Sequence, residues 1–218
     1  MRPLSEYRSI AFDCDGVILD SNSIKTDAFH TVCLPYGKDE AEAFVEFHKT
    51  HGGVSRNEKF QHFFDTILNR KPMPGEVDTL LKSYGDFVIE KLMVADITPS
   101  LPHLRDAAGN TEWLILSGGN QIELRAVFKK RGLCNLFPSK QIFGSPRSKW
   151  DIIHDEVEKG HFQAPVLFIG DSRYDYETAR KYSFDFVFVS AWSEWQNPVF
   201  DEKVICLDRV GDLITSAA

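Results

Sequence analysis

No apolar run in this chain approaches the roughly 20 residues a helix needs to cross a bilayer, so nothing points to a membrane-spanning class. The opening stretch MRPLSEYRSI has no apolar segment ahead of its first acidic residue, which argues against a secretory leader and for a cytoplasmic location. Cysteine is scarce: Cys14, Cys33, Cys134 and Cys206 are scattered without a CxxC pair, the pattern of reduced thiols rather than a disulfide framework or zinc site. Lysine and arginine never gather into a basic run, and the formal charge is −7. Nucleic acid and anionic membranes are therefore unfavourable partners for the surface as a whole. The seven histidines show no metal-ligand spacing. Internal repeats and low-complexity tracts are also missing. A small anionic substrate stays compatible, because a metal ion and one or two lysines reverse the field locally.

What is there fits a globular enzyme-sized chain. Its 218 residues, 43% hydrophobic and 26% charged, suffice for an α/β core plus one small accessory unit. Short apolar runs predict strands at Ser9 to Phe12, Glu112 to Leu116, Pro165 to Ile169 and Phe184 to Val189, with a further short one at Gln141 to Gly144. Helical patterns at Gln121 to Lys130, Lys149 to Lys159 and Tyr174 to Lys181 separate the later strands. That alternation predicts a Rossmann-like parallel sheet covered on both faces. Between Ser21 and Thr98 the texture changes to amphipathic stretches at Ile24 to Leu34, Glu40 to His51, Asn57 to Leu68 and Gly75 to Val94. The expected organisation is an α/β core of residues 1–20 and 99–218, interrupted by a small helical domain over 21–98. Asp20 is expected to cap the helix that begins near Ile24.

The polar residues that matter follow directly on predicted strand ends: Asp13 and Asp15, Ser117 with Gly118 and Gly119, and Asp171 with Ser172. In open parallel sheets ligands bind outside those carboxyl ends, so segments remote in sequence converge on one crevice. Three converging carboxylates need a cation, and all-oxygen ligation suits Mg²⁺. Charge neutralisation, a hydroxyl, glycine amides and a lysine are together what a phosphoryl group requires. Cys14, between the two aspartates, should point away from them into the core by alternation.

FDCDGVILD, LILSGG, Lys149 in GSPRSKWDII, and Asp171 with Asp175 in GDSRYDYETA occur in this order between Ile10 and Ala179. Together they resemble the four motifs of the haloacid dehalogenase superfamily, and the helical insert resembles that family's cap domain. The resemblance implies that Asp13 attacks phosphorus and that Asp15 protonates the leaving oxygen and then takes a proton from water. It implies Mg²⁺ held by Asp13, Asp171 and the backbone carbonyl of Asp15. Ser117 and the Gly118 amide would bind phosphate oxygens, Lys149 would balance charge, and Asp175 would orient either metal-bound water or Lys149. Lys140 and Arg147 lie near Lys149 as rival cations.

Within the insert, HGGVSRNEKF offers two readings of Arg56. Gly52 and Gly53 would let a loop dip towards the core, bringing Arg56 to a substrate anion. Alternatively, Arg56 is a helix-start residue behind a Ser55–Glu58 capping box. Trp192 and Trp195 could line the cleft entrance or form a surface or subunit contact.

Branches of the family differ at these positions. Dehalogenases lack the second aspartate and the metal site, and phosphonoacetaldehyde hydrolases replace the second aspartate; both disagree with Asp15 and Asp171. β-Phosphoglucomutase-like enzymes share the GVSR stretch but usually have His where this chain has Lys25, and Glu-Asp where it has Gly170-Asp171. GDSxxD looks more like phosphatases such as phosphoglycolate phosphatase. The expectation is a Mg²⁺-dependent phosphatase acting on a small phosphorylated metabolite, with a mutase as alternative and a non-catalytic binding module as second alternative.

Overall fold

The computed structural model describes residues 1–200 and 204–216. Five strands stand where the sequence predicts them: β1 (Ser9–Phe12), β2 (Glu112–Asn120), β3 (Ile142–Ser145), β4 (Val166–Gly170) and β5 (Asp185–Val189). β2 runs on past the expected Leu116, through Ser117, Gly118 and Gly119. A sixth, β6 (Ile205–Leu207), was not expected; three residues show too little periodicity to stand out.

All neighbouring strands pair in parallel, in the order β3-β2-β1-β4-β5-β6. The order reverses at β1, and the crevice beside such a reversal is where open sheets bind ligands. Phe12 is level with Ile115 on one side and Ile169 on the other, so the residues following all three strands emerge at one edge. Alternation along β1 divides the core. Ile10 and Phe12 pack with α5 (Leu101–Ala108) and α6 (Gln121–Lys130), through Leu104, Leu124 and Val127. Ala11 packs on the opposite face with α7 (Lys149–Glu158) and α8 (Arg173–Lys181), through Ile152, Ile153 and Ala179. A short α9 (Leu213–Ser216) closes the described chain, its Leu213 buried with the first group. Cys14 is buried in that same group, as alternation requires.

Between β1 and α5 lie four α-helices: α1 (Asn22–Cys33), α2 (Lys38–Thr50), α3 (Arg56–His62), which continues as a π-helical turn over Phe63–Ile67, and α4 (Glu76–Leu92). They surround their own aromatic centre, where Phe29 lies 5.2 Å from Phe44, 5.4 Å from Phe60 and 4.3 Å from Tyr84 between ring centroids. The two connections to the sheet run alongside each other. Asp20 N–H donates to the Asp96 carbonyl and Thr98 N–H to the Ile18 carbonyl, both at 2.9 Å. This pairing corrects the expected cap on α1. Asp20 is held in the paired connection, one residue too early, and Ser21 takes the N-cap position. Among the described residues no helix is long and apolar enough to cross a membrane.

Candidate active site

Asp13 continues β1, its N–H donating to the Ile169 carbonyl of β4 at 2.9 Å. Lys149, the first residue of α7 and only 1% exposed, reaches under the sheet edge to Asp13 Oδ1 at 3.1 Å and also binds Asp175. Its rivals do not come near: Lys140 is exposed, and Arg147 pairs with Asp155 at 3.0 Å. Asp175 uses both of its oxygens. One takes Lys149; the other accepts from Ser172 N–H, Ser172 Oγ and Asp171 N–H, in a capping box that starts α8. Of the two expected partners for Asp175, the structure therefore supplies Lys149.

Asp171 follows β4 and faces Asp13. Oxygens of Asp13, Asp171 and Asp175 lie within 4.8 Å of one another. Burial, and then the neighbouring Asp13 and Asp175 charges, push Asp171 well above the usual carboxylate range. Burial also raises Asp13 to about 7; Lys149 opposes this, while Asp175 and Asp15 add to it. Two buried, hard oxygen donors with one lysine among three carboxylates are a set that a divalent cation such as Mg²⁺ would relieve. The donor set thus fits the ion that the sequence predicts.

Asp15 faces elsewhere. Its carboxylate accepts from Ser21 Oγ at 2.6 Å and Ser117 Oγ at 3.3 Å, and Lys25 of α1 forms an ion pair with it. Burial alone would raise Asp15, but Lys25 and Ser21 outweigh burial and hold it below its ordinary value. Asp15 therefore brings no carboxylate oxygen to the Asp13–Asp171 cluster, which leaves its backbone carbonyl as the expected ligand. Gly16, at φ +74°, makes the turn possible, and a Cβ there would collide with Asp171 Oδ2 and Asn22 Nδ2.

This set of aspartates and lysine lies within a matched family sequence: the profile of haloacid dehalogenase-like hydrolases fits residues 7–182. The chain belongs to the haloacid dehalogenase-like hydrolases. No curated protein matches it. Solved structures share the fold at low identity. A predicted phosphoglycolate phosphatase from Haemophilus somnus 129PT is 15% identical, with a TM-score of 0.72 over 97% of this chain and 98% of that one. A haloacid dehalogenase-like family hydrolase from Streptococcus pneumoniae is 16% identical, with a TM-score of 0.68 over 96% and 98%. CbbY from Rhodobacter sphaeroides, solved with phosphate, is 12% identical, with a TM-score of 0.67 over 95% and 96%.

In this haloacid dehalogenase-like hydrolase the helical insert forms the far wall of a cavity that opens on Asp13, Asp15 and Asp171. The loop at Gly52-Gly53 dips onto the sheet edge. Gly53, at φ +79°, brings its carbonyl against Gly118 so closely that a Cβ at Gly118 would strike it. Arg56 starts α3 behind Ser55, whose hydroxyl accepts the Glu58 N–H at 3.3 Å. The Glu58 carboxylate in turn accepts from Ser55 Oγ at 2.8 Å, so only half of the expected capping box is formed. Arg56 also lines the cavity, but its guanidinium is engaged by Glu123 of α6 in two hydrogen bonds of 2.7 and 3.0 Å. Trp195 lines the cavity, whereas the Trp192 carbonyl accepts from Asn22 at 2.8 Å.

Several partners were not singled out in the sequence. Ser21 binds Asp15, Asn22 binds Asp171 at 2.7 Å, and Lys25 binds Asp15. Spacing at i, i+1 and i+4 just beyond the first motif was the available signal, since such residues share the opening turn of a helix. Glu123, His48 and Lys59 carried no comparable signal.

Proposed function

We propose that this hydrolase is a Mg²⁺-dependent phosphatase that cleaves a small phosphorylated metabolite through an aspartyl phosphate on Asp13. The observation that carries this is the meeting of Asp13, Lys149 and Asp171 at the point where the strand order reverses. An oxygen of Asp13 attacks phosphorus, the bond from phosphorus to the ester oxygen breaks, and Asp15 delivers a proton to the departing alcohol. Asp15 next takes a proton from water, whose oxygen attacks phosphorus; the bond to Asp13 breaks and inorganic phosphate leaves. Lys25 favours the carboxylate form of Asp15, the form this second step requires. Ser117 and the Gly118 amide bind phosphoryl oxygens, and Lys149, steadied by Asp175, balances their charge. Asp13, Asp171 and the Asp15 carbonyl would hold Mg²⁺, which neutralises charge between nucleophile and phosphoryl group.

Residues 21–98 act as a lid on a core of residues 1–20 and 99–218, hinged at the paired connections around Asp20 and Thr98. A cavity walled by lid and core suits a metabolite better than a phosphoprotein. The decisive experiment measures phosphate release from p-nitrophenyl phosphate and a panel of phosphorylated metabolites, with Mg²⁺ and after exhaustive chelation. Release that needs Mg²⁺ is expected, with Ca²⁺ a poor substitute because it takes more ligands at longer distances. Full activity in excess EDTA would remove the metal from the reaction, and no release from any ester would remove the phosphatase.

A further inference from the structure

The insert's side of the cavity contains a buried lysine that no carboxylate contacts. Lys59 of α3 is 2% exposed, and among the described residues no carboxylate lies within 4 Å of its ammonium. Two other cations that line the cavity are matched: Lys25 by Asp15, and Arg56 by Glu123. The hydrogen-bond partner of Lys59 is His48 of α2, whose Nδ1 lies 2.6 Å from Nζ. The charged ammonium can only donate, so beside it Nδ1 accepts and the imidazole proton sits on Nε2. His48 Nε2 is buried without a hydrogen-bond partner, and the nearest carboxylate, Glu194, stands 3.8 Å away. Glu194 is itself held by Thr26 at 2.8 and 3.0 Å. The ammonium, with an imidazole nitrogen as its acceptor, is thus left at the wall of the cavity that holds Asp13, while the Nε2–H on the far side of the ring points away from the ammonium.

A buried lysine with an unpaired charge is costly unless something anionic joins it. Burial, and then the charge of Lys25, pull Lys59 down to about 7. We infer that Lys59, positioned by His48, forms a second anion subsite, and that the substrate carries a further acidic group, a carboxylate or a second phosphate, besides the phosphoryl group that is cleaved. This rests on the phosphatase reading and narrows its substrate class to phosphorylated acids and bisphosphates.

The test uses matched esters: 3-phosphoglycerate against glycerol 3-phosphate, 2-phosphoglycolate against 2-hydroxyethyl phosphate, and propane-1,3-diol bisphosphate against 3-hydroxypropyl phosphate. In at least one pair the charged member should have a kcat/KM at least roughly 10-fold higher, the size of one charge-assisted hydrogen bond. Which pair responds separates carboxylate from phosphate. In Lys59→Met that ratio should fall towards one, and His48→Gln should lower it in the same direction; thermal unfolding of both variants checks the fold. Equal rates within every pair, or a ratio that survives Lys59→Met in a folded protein, would overturn the subsite and leave the phosphatase standing. No hydrolysis of any ester, p-nitrophenyl phosphate included, would remove both.

Discussion

Arg56, the first residue of α3 in the insert, grips Glu123 of core helix α6 through both guanidinium nitrogens, at 2.7 and 3.0 Å. The pair is largely buried and ties the helical insert to the sheet domain beside the cavity. A bidentate pair of this kind has geometric as well as electrostatic specificity. As a latch, it predicts that Arg56→Ala and Glu123→Ala each lower kcat/KM for the best substrate of a metabolite panel by roughly 10-fold, and that the double variant loses little more than either one. Turnover of p-nitrophenyl phosphate should change far less. A loss confined to Arg56→Ala, with Glu123→Ala unaffected, would show that Arg56 reads the substrate directly.

Asp13→Asn should reduce turnover by roughly 10³-fold or more, since removing a covalent nucleophile acts on the chemical step. The variant should fold, because asparagine keeps the side-chain volume in the buried site. Steady-state kinetics and circular dichroism check this; turnover near wild type would take the nucleophilic role from Asp13.

Asp15→Ala should cost more with an alkyl phosphate than with p-nitrophenyl phosphate, by about 10-fold or more, because an alkoxide needs a proton and nitrophenolate leaves largely unaided. Comparison of kcat for the two esters in the one variant is sufficient. Equal losses would assign the proton transfer to another group.

Lys59 makes stability depend on pH. Its folded-state value lies near 7, below the ordinary lysine value of 10.5, so between these the unfolded chain binds more protons. Stability therefore rises with pH across that window, and the cost of burying the charged amine is fully present below about 7. Lys59→Met removes the titrating group. Its stability advantage over the wild type, from urea unfolding, should be largest at pH 6 to 7 and shrink towards pH 10. A constant difference across the range would show that Lys59 stays charged or neutral throughout.

By itself the sequence determined the sheet and the residues at its edge. Local alternation and apolar runs identified β1, β4 and β5, and motif residues following directly on strands had to emerge together once those strands ran parallel. Asp13, Lys149, Asp171 and Asp175 meet for that reason, and Ser117 reaches Asp15 beside them. Short or long-range features were beyond it. β6 has three residues and no pattern, and Asp20 could be separated from the true N-cap only after its N–H had found Asp96. Only the docking of the insert on the sheet decided that Lys25 pairs with Asp15, that Arg56 meets Glu123 across 67 residues of chain, and that Lys59 is left with an imidazole in place of a carboxylate. Those choices depend on which charges share a low-dielectric cavity, and composition or spacing along a single strand or helix does not specify that.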